Sequence, residues 1–188
     1  MEHFAADFER VLIVGTSCSG KTTLARRLAD ILGHPQVELD RLYWLPDWRA
    51  RETEEFRDLV RRSLADSPWI VDGNFSMVRD ITLGGATTVI WLDYSFLLTF
   101  TRALRRTIRR VWTQEELFAG NREGFRQSFL SRNSILWWVI ISFRRHRREY
   151  RGLAADPGIP PFLRLSGPRK TEALIERLSR GRAGNEDA

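Results

Sequence analysis

The amino-acid sequence predicts a three-layer α/β fold in which a five-stranded parallel sheet lies between two layers of helices. Short apolar runs of strand length alternate along the chain with segments whose apolar residues recur at helical spacing. Three of the apolar runs end at an aspartate, namely Asp40, Asp72 and Asp93. Ligands of open α/β sheets bind beyond the carboxyl ends of the strands, so these acids are expected along one functional edge.

Each element is predicted from its own stretch of sequence. The strands are expected at Val11–Val14, Gln36–Leu39, Trp69–Val71, Thr88–Leu92 and Phe162–Leu165. The helices are expected at Thr23–Leu32, Glu52–Ala65, Phe96 to about Trp112, Gly124 to about Arg151 (as one helix or two) and Lys170–Leu178. Thr53 is the expected cap of the second helix. Residues 1–180 are predicted to form a single domain, and residues 181–188 a flexible tail.

The composition restricts the kind of protein. Of the 188 residues, 43% are hydrophobic, which is enough for a full core. The single cysteine excludes an intramolecular disulfide and is typical of a reducing compartment. The first ten residues have no apolar stretch of the kind found in signal peptides, and the apolar run Ile135–Phe143 is too short to cross a bilayer. A cytoplasmic protein without a transmembrane segment is therefore expected.

The charges are distributed unevenly between the two halves of the chain. Residues 1–94 carry 11 Lys and Arg against 15 Asp and Glu, a net charge of −4. Residues 95–188 carry 19 against 9, a net charge of +10. This asymmetry indicates a polyanionic partner for the second half. ATP, a phosphorylated small substrate, nucleic acid and an anionic membrane all meet that description.

One segment indicates a specific chemistry, because Gly15, Thr16, Ser17, Cys18, Ser19, Gly20, Lys21 and Thr22 fit the phosphate-binding pattern G-x-x-x-x-G-K-[ST]. A strand precedes the segment and a helix follows it, which is the setting that the motif requires. We expect the backbone from Gly15 to Thr23 to bind the phosphates of ATP, with Lys21 at the β- and γ-phosphates and the Thr22 hydroxyl on Mg²⁺. Only Lys21 and Lys170 are lysines in a chain that otherwise uses arginine. The prediction is therefore a P-loop NTPase fold.

The aspartates that follow the strands have alternative interpretations. Asp72 is interpreted as a second Mg²⁺ ligand, and the alternative is a residue that only caps a turn. Gly73 would let the backbone approach a ligand closely. Asp40 is a candidate catalytic residue that accepts a proton from the substrate or binds it, and the alternative is a helix cap. Asp93 is interpreted as the cap of the helix that begins at Phe96.

The basic and aromatic candidates lie outside these strands. Of the arginines in the third predicted helix, Arg106 and Arg110 are the first candidates to neutralise charge on a transferring phosphoryl group. The alternative is a solvated basic face. Arg79 could bind a phosphate or carboxylate of the acceptor. Trp44 could stack on a flat substrate, and the alternative is packing against the next helix.

The sequence resembles P-loop kinases of the adenylate-kinase and shikimate-kinase type, and more closely the adenylate-kinase-related group called "DNA topology modulation protein". The stretches that carry this resemblance are Gly15–Thr22, Leu39-Asp40 followed by Tyr43-Trp44 and Trp48, Trp69–Ser76, Trp91–Asp93, Arg102–Arg110 and Arg164–Arg169. The resemblance implies the strand order 2-3-1-4-5, a substrate-binding helical region around 41–66, and a helical lid around 111–124. It also implies that Ser166 to Arg169 border the adenine. The Asp-Gly-Asn-Phe-Ser segment departs from the Asp-Gly-Phe-Pro-Arg of adenylate kinases, so AMP is not expected as the acceptor.

Two functional hypotheses follow. The first is an ATP-dependent phosphotransferase that uses Mg²⁺ and acts on a small-molecule acceptor such as a nucleoside, a nucleotide or another metabolite. The second is an ATP-binding regulator associated with nucleic acid, which rests on the basic second half and on Arg144–Arg148. The sequence favours the first, since the lysine and threonine of the phosphate loop are intact.

Overall fold

The computed structural model describes residues 6–66, 68–121 and 134–186. The predicted α/β fold is confirmed, because five parallel strands form one sheet that carries helices on both faces. The sheet strands are β1 (Arg10–Gly15), β2 (Gln36–Glu38), β5 (Trp69–Asp72), β6 (Thr88–Leu92) and β7 (Phe162–Leu165). Two further strands, β3 (Trp44–Leu45) and β4 (Arg49–Ala50), form a separate antiparallel hairpin.

The order across the sheet is β2-β5-β1-β6-β7. Counted among the five sheet strands alone this is the expected order 2-3-1-4-5. The whole-chain numbering differs because the two hairpin strands were not predicted. In the register of the sheet, Asp72 lies beside both Ile13 and Glu38, and Gly15 lies beside Leu92. The carboxyl ends of the first three strands therefore meet at one edge.

The helices occupy the segments between the strands. They are α1 (Lys21–Leu32), α2 (Leu39–Tyr43), α3 (Thr53–Ser63), α4 (Arg79–Gly85), α5 (Phe96–Thr113), α6 (Ile135–Ala154) and α7 (Pro168–Glu186). The first half of the predicted helix Gly124–Arg151 lies outside the described residues, and its second half corresponds to α6. A separate core packs on each face of the sheet. Phe56, Val60 and Trp69 belong to one core, whereas Leu24, Leu28 and Ile175 belong to the other.

Several local predictions are wrong. The second strand ends at Glu38, and Asp40 lies in the first turn of the short helix α2, which was not predicted. The cap of α3 is Glu52, whose carboxylate accepts hydrogen bonds from the amides of Glu54 and Glu55, whereas Thr53 is the first helical residue. The closing helix continues to Glu186, so most of the segment predicted as a tail is helical.

The described residues contain no helix that is both long enough and apolar enough to span a membrane.

Candidate functional site

The phosphate loop connects β1 to α1 through two glycines in conformations that other residues rarely adopt. Gly15 has φ 149°, and a Cβ there would lie 2.8 Å from the carbonyl oxygen of Leu92. Gly20 has φ 103° and precedes α1 without a side-chain cap. The first amides of α1 are thus left for a ligand, and the positive end of the helix dipole favours an anion at this position.

Lys21 lies back across the loop that precedes it. Its Nζ donates to the carbonyl oxygens of Gly15, at 3.0 Å, and Thr16, at 3.3 Å. Burial lowers the pKa of Lys21, and the carboxylates of Asp40 and Asp72 oppose that shift. The ammonium is therefore held at the centre of the loop by weak acceptors and two nearby anions, from which it can move onto a phosphate.

Thr22 and Asp72 form a direct contact between the first helix and the third sheet strand. The Thr22 hydroxyl donates to Oδ2 of Asp72 at 2.5 Å, and Nε2 of Gln36 donates to Oδ1 at 3.2 Å. Asp72 is only 2% exposed. The two residues predicted to ligate Mg²⁺ are therefore brought together, and Gln36 is a partner that the sequence analysis missed.

Asn74 attaches the loop to the segment that follows β5. Its Oδ1 accepts from the amide of Gly15 at 3.3 Å, and its Nδ2 donates to the carbonyl oxygen of the same residue. This pair of bonds fixes the start of the phosphate loop from a residue 59 positions away. The sequence analysis did not identify Asn74 as a site residue. Its position directly after Asp72 and Gly73 was the signal that could have identified it.

Asp40 lies near enough to Lys21 for the two charges to influence one another. Its Oδ1 accepts from Nε1 of Trp44 at 3.3 Å. Burial raises the pKa of Asp40, although Lys21 and this indole bond favour the carboxylate and Arg106 acts in the same sense. A carboxylate with a raised pKa is a stronger proton acceptor than an ordinary aspartate. Trp44 packs edge-on against Tyr43 and Trp48, so it is part of an aromatic cluster and also a partner of Asp40.

Gly73 brings α2 against the end of β5. It has φ 151°, and a Cβ would lie 2.7 Å from Cβ of Leu39. No side chain fits at this contact without moving α2. The absence of a side chain at Gly73 therefore sets the distance between Asp40 and Asp72.

The arginines of α5 approach the loop in a different way from that predicted. Arg102 makes the direct contact, donating to the carbonyl oxygen of Ser19 at 2.9 Å while its guanidinium lies over the ring of Tyr94. The positive charge of Arg106 is near enough to contribute to the lowered pKa of Lys21 and to oppose the raised pKa of Asp40. Its Nε is buried without a hydrogen-bond partner. Arg110 is half-buried one turn further along α5. The sequence analysis had ranked Arg106 and Arg110 ahead of Arg102.

Arg79 begins α4 and is paired within the protein. Its Nη1 lies 2.6 Å from Oε1 of Glu149 in α6. Both side chains are about one-third exposed, at 30% and 31%. Arg79 also lines a cavity beside the end of β5, together with Gly73, Asn74, Phe75 and Tyr150. Arg79, the predicted acceptor-binding residue, thus borders a cavity, but its guanidinium is already paired with the carboxylate of Glu149.

Asp93 has a structural role that differs from the predicted one. Ser95 caps α5 by accepting from the amide of Leu98. Asp93 is 5% exposed and instead forms ion pairs with Arg147 and Arg164. Two guanidinium groups compensate the cost of burying this carboxylate. The pairs connect β6, α6 and β7.

Asn121, which the sequence analysis missed, joins the predicted lid segment to the hairpin. It is 6% exposed; its Oδ1 accepts from the amide of Trp48 at 3.0 Å, and its Nδ2 donates to the carbonyl oxygen of Leu45 at 2.9 Å. The segment that ends at Asn121 therefore lies against the hairpin that follows Asp40. Residues 122–124 of the predicted lid lie outside the described residues.

The remaining predicted nucleotide residues are distributed around the loop. Thr16 and Ser19 are buried, Ser17 and Cys18 are half-buried, and Cys18 has φ 66°. Thr23 and Arg169 are exposed, the latter in the first turn of α7.

The loop and its surroundings fit magnesium-bound ATP. The Ser19 hydroxyl is 1% exposed and has no hydrogen-bond partner, so it is an orphaned donor inside an anion-binding turn. The Thr22 hydroxyl and the Asp72 carboxylate are hard oxygen ligands of the kind that Mg²⁺ prefers. Within the described ranges there is no cluster of three or more His, Cys, Asp or Glu that could hold a metal by itself. A metal here would therefore depend on ligands from the nucleotide, which is usual for Mg²⁺.

Comparison with solved structures identifies the fold. Shikimate kinase from Acinetobacter baumannii in complex with shikimate is 14% identical, with 96% of both chains covered and a TM-score of 0.57. Shikimate kinase from Bacteroides thetaiotaomicron is 13% identical, covering 91% of this chain and 96% of that chain at a TM-score of 0.54. Deoxyadenosine kinase from M. mycoides is 12% identical, covering 91% and 98% at a TM-score of 0.52. At these identities the likeness shows the fold, and the chain has the fold of P-loop kinases.

No family model matches the chain, and no curated protein matches it in sequence.

Proposed function

We propose that this protein is a P-loop kinase that transfers the terminal phosphoryl group of ATP to a hydroxyl group of a small-molecule acceptor. The observation that carries the proposal is the position of Lys21. Its ammonium donates to two loop carbonyls and is influenced by two carboxylates from outside the loop, Asp40 in α2 and Asp72 at the end of β5. A loop that only bound nucleotide would not need the second carboxylate, whereas a phosphotransferase needs a group on the acceptor side.

Bound Mg²⁺-ATP would supply the phosphoryl group, and the protein would supply position and charge. The loop from Gly15 to Thr23 would hold the phosphates, with Lys21 at the β- and γ-phosphates and Thr22 and Asp72 toward the metal. Arg169 would lie beside the base. Arg102 would keep the carbonyl of Ser19 directed away from the anion, and Arg106 would neutralise charge as the phosphoryl group moves. A contribution of Arg110 stays a prediction.

Asp40 would act on the acceptor. As the acceptor oxygen forms its bond to phosphorus and the bond to the leaving diphosphate breaks, the hydroxyl proton would pass to the Asp40 carboxylate. The raised pKa of Asp40 and its contact with Trp44 support this role. The acceptor would lie between Asp40, Gly73 and the cavity at Arg79, where Trp44 could pack on it. Reaching Arg79 would require the acceptor to compete with Glu149.

The experiment is a screen for ADP release above the ATP-only background, with nucleosides, nucleotides and small hydroxylated metabolites as acceptors. With the acceptor that responds, Lys21→Ala is expected to lower kcat by about a thousandfold or more, since a charge aimed at the transferring group is lost. Lys170→Ala is the matched control, because Lys170 is the only other lysine and is exposed. Magnesium-dependent ATP binding with no acceptor-dependent turnover across the panel would contradict the proposal.

The nucleic-acid hypothesis and the resemblance to the topology-modulation group stay sequence-based predictions. The solved structures with this fold that are named above are small-molecule and nucleoside kinases.

A further inference from the structure

The outer surface of α5 and α6 is unusually apolar. Six exposed side chains on these two helices are referred to below as the apolar face: Leu97, Ile108, Trp112, Trp137, Ile140 and Ile141. Trp112 is 87% exposed and Leu97 is 71% exposed, while the other four are between 43% and 51% exposed. Single exposed apolar residues need no explanation, but a group that includes two tryptophans marks an interaction surface.

The apolar face is the outer side of both helices and not a poorly packed core. On α5 the buried positions are Thr99, Ala103 and Thr107, which recur at helical spacing on the opposite side from Leu97 and Ile108. On α6 the buried positions among the described side chains are Val139, Ser142, Phe143, His146 and Tyr150. The two helices pack directly on one another, with Phe96 edge-on to Phe143 at 5.3 Å between ring centroids. The exposed sides therefore belong to two helices that are direct neighbours.

The apolar face is bordered by arginines. Arg105 and Arg109 lie beside it on α5, and Arg144 and Arg148 continue its line along α6. All four are exposed, and among the described residues only Arg109 has an acidic partner, Glu115. Arg145 lies over the ring of Trp138 at the edge of the face. The surface thus combines aliphatic and indole side chains with arginines of which three, Arg105, Arg144 and Arg148, have no acidic partner in the part of the chain that the structure describes.

This combination fits an anionic lipid surface better than the alternatives. Indole rings prefer the headgroup level of a bilayer, aliphatic side chains bury in the acyl boundary, and arginines attract anionic headgroups. A second copy of the chain would bring the same positive charges close to one another. Nucleic acid would satisfy the arginines but would leave Leu97, Ile140 and Ile141 without an apolar partner.

We propose that the apolar face and its arginines form a docking surface for the surface of an anionic membrane. The protein would lie on the bilayer through α5 and α6, without a spanning segment. This inference does not depend on the identity of the phosphate acceptor, because it concerns the side of α5 opposite to Arg102 and Arg106.

The test is sedimentation of the full-length protein with phosphatidylcholine vesicles that do or do not contain phosphatidylglycerol. We expect binding to the anionic vesicles that weakens as salt rises, and little binding to the neutral ones. The tryptophan fluorescence emission should shift to shorter wavelength on binding, because Trp112 enters a less polar environment. The Trp112→Phe variant should show a smaller shift. Arg144→Gln with Arg148→Gln should weaken binding by about thirtyfold. Leu97→Ser with Trp112→Ser should also weaken it at least tenfold.

The matched control is Arg26→Gln with Arg177→Gln, which removes the same charge from α1 and α7, where both arginines are exposed. This control should bind like the unaltered protein. Equal loss in both arginine pairs would indicate nonspecific charge attraction and overturn the proposal. Absence of binding to the anionic vesicles would also overturn the proposal. In that case, loss of a dimer in the same variants, measured by sedimentation velocity, would indicate a second copy of the chain as the partner. Loss of binding to duplex or single-stranded DNA would indicate nucleic acid, and no change in either measurement would leave the proposal overturned.

Discussion

The nucleotide side and the acceptor side of the candidate site differ in how their groups are held. On the nucleotide side, consecutive residues from Gly15 to Thr22 form the loop, and Lys21 donates to carbonyls five and six positions earlier. On the proposed acceptor side, Asp40 accepts from the indole of Trp44, and the side chain of Asn121, from a distant part of the chain, bonds the backbone of Leu45 and Trp48. A local loop retains its shape under most distant substitutions, whereas an assembled pocket can be altered one contact at a time. We therefore expect substitutions on the two sides to affect different kinetic constants.

The largest difference between the kinetic effects on the two sides is expected from Asp40→Asn. The amide is similar in size and still accepts from Trp44, but it cannot take a proton, so kcat should fall by about a hundredfold to ten-thousandfold. The affinity for Mg²⁺-ATP, measured by calorimetry, should change little. An unaltered kcat with a true acceptor would show that Asp40 is not the proton acceptor.

The pH dependence provides a second readout of the same residue. The reactive form of Asp40 is the carboxylate, and burial raises its pKa, so kcat/KM should fall on the acid side at a pH above the ordinary aspartate range. Asp40→Asn should remove that acid limb from the residual activity. An acid limb that survives unchanged would have to be assigned to another group.

A smaller effect, on the nucleotide side, is expected from Asp72→Asn. The variant keeps a partner for the Thr22 hydroxyl but loses the negative charge, so kcat should fall by about a hundredfold and the magnesium concentration required should rise. Asp58→Asn is the control, because that carboxylate is exposed on α3 and forms only a surface ion pair with Arg61. A magnesium dependence that matches that of the control would exclude Asp72 from the metal site.

Asn121→Ala should affect the acceptor side alone. It removes the bonds to Trp48 and Leu45, so the lid segment should separate from the hairpin, and the acceptor KM should rise about tenfold with unchanged ATP affinity. The free energy of unfolding should decrease by about 1 kcal/mol, since partly buried backbone groups of Trp48 and Leu45 lose their partners. Denaturant titration and steady-state kinetics separate the two effects. An equal rise in the KM for ATP would show that the contact also supports the nucleotide side.

The smallest effect concerns stability in acid. Burial lowers the pKa of His146 to about 4, assisted by the positive charges of Arg145, Lys21 and Arg79 and opposed by Glu149. The unfolded chain binds a proton at this histidine at higher pH than the folded chain does. Stability should therefore fall as the pH decreases from about 6.5 to about 4, by at most about 3 kcal/mol. His146→Leu should reduce this decrease, and His34→Leu should not.

The sequence predicted the structural elements of the nucleotide side better than those of the acceptor side. The glycine-containing loop, the five sheet strands and the position of Asp72 at the end of a strand were predicted because each depends on a few adjacent residues. The hairpin at Trp44–Ala50 and helix α2 were not, since β3 and β4 have two residues each and α2 has five. Elements this short leave no periodic pattern in a sequence.

The sequence by itself determined the order of the five sheet strands, the position of the glycine-containing loop between β1 and α1, and the separation of acidic and basic halves. Only the tertiary structure decided that Asn74 fixes Gly15, that Arg102 reaches Ser19 and that Asn121 joins the lid segment to the hairpin, across 59, 83 and 76 residues. It also placed Asp93 between two arginines and not at a helix cap. The physical reason is that a local backbone conformation depends on neighbours in the chain. The partner of a polar side chain depends instead on which distant groups the folded sheet brings within hydrogen-bond distance.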